Sequence, residues 1–92
     1  MAQTIDEITI KYEEDDQIIV DELDKEILTR GAWTTIIFKY RQWDKKLDDF
    51  GPDRFTIRRY RKMKGEYKQQ SKFNISNKEQ AEKIVSTLNR WI

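Results

Sequence analysis

"RFTIRRYRKMKGEYKQQSKFNI", residues 54–75, places Arg54, Arg58, Arg59, Arg61, Lys62, Lys64, Lys68 and Lys72 among four aromatic residues, with Glu66 as its only acid. Two alternating runs, "FTIRRYRKM" and "EYKQQSKFNI", flank Lys64-Gly65. Glycine takes the positive φ of a tight turn without a Cβ penalty, so the stretch predicts a β-hairpin. A basic, ring-bearing hairpin decides the reading of the rest of the chain.

Upstream, "AWTTIIFKYRQW" (32–43) alternates β-branched and aromatic residues with polar ones and predicts a long strand, preceded by a strand in "DKEILTRG" (24–31). The connection "DKKLDDFGPD" (44–53) carries Gly51-Pro52, which does not fit inside a sheet. Downstream, "SNKE" (76–79) matches a capping box with Ser76 as N-cap and Glu79 returning the bond. Ala81, Ile84, Val85, Leu88 and Ile92 then recur at helical spacing, with Trp91 at the margin of the stripe. The expected fold is α+β: a four-stranded, twisted antiparallel sheet followed by one C-terminal helix, β-β-β-β-α. Residues 24–92 form the domain, and residues 1–23 an acidic N-terminal extension that is either a flexible tail or an edge strand.

Ninety-two residues suit one domain with a small core, since a chain of this length hides only about 60–65% of its unfolded surface. Cysteine and histidine are both absent. That removes disulfides, thiolate zinc sites, the commonest general base and the commonest metal ligand. The composition therefore argues against an enzyme and proposes neither cofactor nor metal. The acids near the N-terminus do not resemble a secretory leader, and no apolar run approaches the ~20 residues of a membrane span, so a cytoplasmic or nucleoid-associated location is expected. The net charge of +1 conceals a division: residues 1–26 hold two bases and ten acids, net −8, whereas residues 27–92 hold sixteen bases and seven acids, net +9.

One helix covers one face of a small sheet, so alternation sorts the strands into a core set and an exposed set. The core set is Ile36, Phe38, Tyr40, Phe55, Ile57, Tyr67, Phe73 and Ile75. The exposed set comprises Lys39, Arg41, Trp43, Arg58, Tyr60, Lys62, Lys68, Gln70 and Lys72, a basic surface carrying rings. Bases for phosphates and rings for stacking are what single-stranded nucleic acid requires, whereas duplex keeps its bases stacked inside. In this sorting Arg59 and Arg61 point toward the helix and Ile37 is exposed, which calls for a bulge near Tyr60 or a subunit contact at Ile37. A solvated, lysine-rich sheet face is the plain alternative.

Residues 55–91 resemble the positive cofactor 4 family of transcriptional coactivators. "TIRRY" is similar to its hydrophobic-x-I-R-x-Y strand, "KGEYK" to its G-E-x-K hairpin, and "NKEQ" to its helix-opening N-x-E-Q. The chain departs from the family at "KFNIS", where the apolar residues stand one step out of phase and the usual proline is missing. The resemblance, shared with the Whirly and Pur proteins, implies a single-stranded DNA-binding protein, with RNA as a second ligand, acting in transcription, replication or recombination. It places Arg58, Tyr60, Lys68 and Lys72 on the family motif and Lys39, Arg41 and Trp43 on the preceding strand. It also implies a homodimer, for which the apolar chain end at Leu88, Trp91 and Ile92 is the expected interface. The competing function is a non-enzymatic protein-interaction module that holds an acidic partner on the same sheet.

Overall fold

The computed structural model describes residues 2–92. It is an α+β protein, an antiparallel sheet followed by one C-terminal helix. The strands are β1 (Tyr12–Glu14), β2 (Gln17–Thr29), β3 (Trp33–Asp44), β4 (Asp49–Phe50), β5 (Arg54–Met63) and β6 (Glu66–Ile75), and the helix is α1 (Lys78–Trp91). The sheet runs β1-β2-β3-β5-β6, with β4 paired to the end of β3. Six strands thus replace the expected four. The two additions are short: "EEDD" bends back through Asp15 and Asp16, both at positive φ (50° and 64°), and Asp49–Phe50 folds onto Trp43 and Asp44. Among the described residues no helix is long and apolar enough to cross a membrane.

Lys64 (φ 52°) and Gly65 (φ 80°) form the expected tight turn between β5 and β6. Positive φ at both positions is the primed geometry that matches the twist of the flanking strands. The helix starts one residue later than the sequence suggests. Asn77, not Ser76, is the N-cap: its Oδ1 accepts from the Gln80 amide at 2.8 Å, while the Ser76 amide donates to Gln80 Oε1 at 2.5 Å. Asparagine serves as well as serine at this position, and Gln80 replaces Glu79 as the residue that reaches back.

The alternation read for β3 holds, with Ile36, Phe38 and Tyr40 in the core, but the faces expected for β5 and part of β6 do not. Directly opposed residues share a face. Phe38 opposes Thr56, Ile36 opposes Arg58 and Thr34 opposes Tyr60, so Tyr60 and Arg58 lie on the core face. Phe55 and Ile57 oppose Lys39 and Ile37 on the other face, together with Arg59, Arg61 and Trp33. A second displacement occurs in β6. Arg59 opposes Ser71 but Tyr60 opposes Gln69, which leaves Gln70 as an unpaired bulge residue. Side chains on either side of a bulge change phase. Hence Lys68 lies on the face of Arg61, whereas Lys72 lies on the face of Arg58. Further bulges leave Leu23 and Leu28 of β2 unpaired and exposed.

The cover of the core face is also a departure from expectation. Residues 2–10 cross it as a strap, inserting Ile8 (2% exposed) and Ile10 (8%) against Ile36, Phe38, Tyr40 and Tyr60, with Ala2 and Ile5 at the margin. Its polar groups are met from the sheet. Lys25 Nζ donates to the carbonyls of Ile8 (2.6 Å) and Asp6 (2.9 Å), Glu22 Oε1 accepts from the Ile10 amide and the Thr9 hydroxyl, and the Tyr67 amide donates to the Ala2 carbonyl at 2.9 Å. Burying two isoleucines contributes about 3–6 kcal/mol at the usual value per side chain. Residues 8 and 10 are therefore core rather than extension, and the expected boundary at 23/24 falls inside the continuous strand β2. By contrast α1 buries none of its residues. The molecule measures 41 × 40 × 17 Å, so its thinnest dimension accommodates one sheet and one covering layer.

Candidate nucleic-acid interface

The nine residues proposed for nucleic-acid contact do not form one surface. Arg41 is engaged at a corner: its Nε donates to Asp21 Oδ2 at 2.8 Å and its guanidinium lies 4.0 Å over the Phe50 ring. Trp43 packs edge-on against the same ring at 5.2 Å and is half-buried. Lys39 is exposed and pairs with Asp53 at 3.5 Å. Across the sheet, Tyr60 is 6% exposed and has no free face on which a base can stack. Burial raises its pKa above the usual 10.0, with the neighbouring Arg58 charge acting in the opposite direction. Arg58 is half-buried; one terminal nitrogen donates to Gln69 Oε1 at 3.1 Å, and its buried Nε has no hydrogen-bond partner among the described residues.

Lys62, Lys68, Gln70 and Lys72 are exposed. The first reaches the Tyr67 ring at 5.6 Å, on the strap side, and Gln70 folds back onto the Lys68 carbonyl at 3.2 Å. Among the described residues, none of the eight bases of residues 54–75 forms an ion pair with a carboxylate; the four pairs present lie at Lys11, Arg30, Lys39 and Arg41. The hairpin therefore presents its positive charge undischarged.

The face away from the strap holds a constellation that sequence reasoning missed. Trp33, 42% exposed, lies under two guanidinium groups, Arg59 at 4.6 Å and Arg61 at 5.3 Å from its ring centroid. Register creates the group, because Trp33 opposes Arg61 and Thr35 opposes Arg59. Ile37, Ile57 and the exposed Phe73 continue the same face toward Phe55. The signal was present in Arg59 and Arg61, the two bases that the expected sorting turned toward the helix. An arginine pair facing a helix with nothing to neutralise it is costly, and that cost points to an open face.

At the far end of this face α1 meets the sheet beside Phe55. Between them runs an open, mostly apolar groove of about 370 Å³ lined by Phe55, Ala81, Val85, Ser86 and Asn89 among others. Leu88 (47%), Trp91 (77%) and Ile92 (98%) extend the exposed apolar edge of the helix. Comparison with protein-family models, with curated proteins and with solved structures finds no match to this chain.

Proposed function

We propose that the chain binds single-stranded nucleic acid, with DNA as the principal ligand, through the β5–β6 hairpin and the open face of its sheet. The observation that carries this reading is the Trp33, Arg59 and Arg61 stack on an uncovered sheet surface. Phosphates are attracted to the unpaired bases of the hairpin, and unstacked bases find flat partners in the Trp33 ring, its guanidinium neighbours and Phe73. Lys68 lies on this face, while Lys62 and Lys72 flank the hairpin from the other side. The backbone of such a strand crosses the hairpin, and its bases lie toward Trp33.

The residue-level resemblance to the positive cofactor 4 family agrees with this ligand class and with a two-fold dimer. The groove beside Phe55 and the exposed Leu88, Trp91 and Ile92 give such a dimer apolar surface to bury. Titration of fluorescent oligonucleotides, single-stranded and duplex, tests the ligand class. Tighter binding to the single strand is expected, with log affinity falling against log salt by about 0.7 per phosphate neutralised. Equal affinity for duplex reduces the surface to a generic polycation. No binding to either, with retention of an acidic protein instead, transfers the sheet to the protein-interaction reading.

A further inference from the structure

The two edges of the sheet carry opposite charge. On one side β6 is an open edge whose residues 68–74 are all exposed; among the described residues, the strap meets it only at the Tyr67 amide. Lys68 and Lys72 stand on that edge without carboxylate partners. On the other side β1 is an exposed edge bearing Glu13, which pairs with the preceding Lys11 at 3.1 Å, and Glu14, and its turn adds Asp15 and Asp16, so the edge stays net acidic. An unpaired strand edge is a template for another strand, and native proteins blunt such edges with charge of one sign. Here each edge is blunted against itself but not against the other. A two-fold contact through β6 sets lysine against lysine, and one through β1 sets carboxylate against carboxylate. Pairing β6 of one copy with the β1–β2 edge of the next joins opposite charges and satisfies open backbone groups on both.

We infer that this chain associates head-to-tail with further copies of itself, the basic β6 edge of one against the acidic β1–β2 edge of the next, in a heterologous contact that repeats from copy to copy. Such heterologous contacts generate open arrays or rings. The contact uses neither α1 nor the groove beside Phe55, so it is independent of a helix-mediated dimer. It also holds in the absence of nucleic acid, so its fate is separable from that of the proposed function.

Sedimentation velocity of the full chain without nucleic acid tests it. At about 10 mM salt, where the Debye length is about 30 Å, the weight-average sedimentation coefficient is expected to rise with protein concentration; near 0.15 M, where that length is about 8 Å, the rise is expected to shrink or vanish. Glu13→Lys/Glu14→Lys and Lys68→Glu/Lys72→Glu, each folded by circular dichroism, should lose the low-salt growth alone. An equimolar mixture of the two should regain it, because one variant then offers two basic edges and the other two acidic ones. Lys45→Glu/Lys46→Glu, which alters net charge in the turn before β4, should grow like the parent chain. A parent chain with no salt-dependent growth overturns the inference, as do edge variants that grow unaltered, a mixture that stays dispersed, or a turn variant that loses growth equally.

Discussion

The two faces of the sheet differ in what covers them. One is closed by residues 2–10, a strap with almost no regular structure, which places two isoleucines within the core. The other meets α1, the element with the clearest amphipathic pattern in the sequence, and no residue of that helix is fully buried, Ala81 and Ile84 being only half-buried. Periodicity announces that a face is apolar without saying what it packs against. Burial follows from interdigitation with Phe38, Ile36 and Tyr60, which the strap achieves and the helix does not. The consequence is an asymmetry of cover: the strap face is committed to stability, and the open face leaves Trp33, Arg59 and Arg61 exposed.

The sharpest way to break this contrast is to truncate one residue on each cover. Ile8→Ala should cost about 2–5 kcal/mol of unfolding free energy in urea, as buried isoleucine truncations do. Val85→Ala, at a position 58% exposed, should stay within about 0.5 kcal/mol in dilute protein. Similar losses at both positions would mean that the helix closes a core after all.

Next in size is a separation of binding from folding. Trp33→Ala should weaken single-strand binding by about 1–3 kcal/mol and leave the salt slope nearly unchanged, because stacking and phosphate contact are different physics. Thermal unfolding of the same variant should change little, since the ring lies on the open face. A variant that binds fully while melting early would make Trp33 a structural residue.

The smallest expected effect is the pH dependence of Tyr60. Burial raises its folded-state pKa above 10.0, so the neutral phenol is favoured in the folded chain. Its contribution is complete below the unfolded value and is lost as pH rises through 10.0 toward the folded value. Melting curves between about pH 9 and about pH 11 should therefore show the parent chain losing stability relative to Tyr60→Phe. Parallel loss in both would place the Tyr60 hydroxyl in water.

The long strands, the Lys64-Gly65 turn and the helix were legible because alternation, a glycine and a polar cap are local signals. The faces of β5 and part of β6 were not. A bulge at Gln70 changes the phase of β6 without any glycine or proline to mark it, and Leu23 and Leu28 do the same in β2. Treating Phe55 and Ile57 as core put β5 one residue out of step with β3, which turned Tyr60 outward and hid the Trp33, Arg59 and Arg61 group. The strap was hidden for a different reason: Ile8 and Ile10 sit among acids in a segment too short to show a period, and only contacts distant in sequence reveal where they go.

The strap also sets a schedule for biosynthesis. Lys25, Glu22, Ile36, Phe38 and Tyr40 precede the last strands, but the Ala2 carbonyl waits for the amide of Tyr67 and the isoleucines wait for Tyr60, so residues 2–10 lack their final partners until β5 and β6 are made. At translation rates of about 5–20 residues per second, that interval lasts roughly 3–13 seconds. The core closes only when β6 has emerged, so a chain that ends before residue 60 offers the strap Ile36, Phe38 and Tyr40 but neither Tyr60 nor the Tyr67 amide.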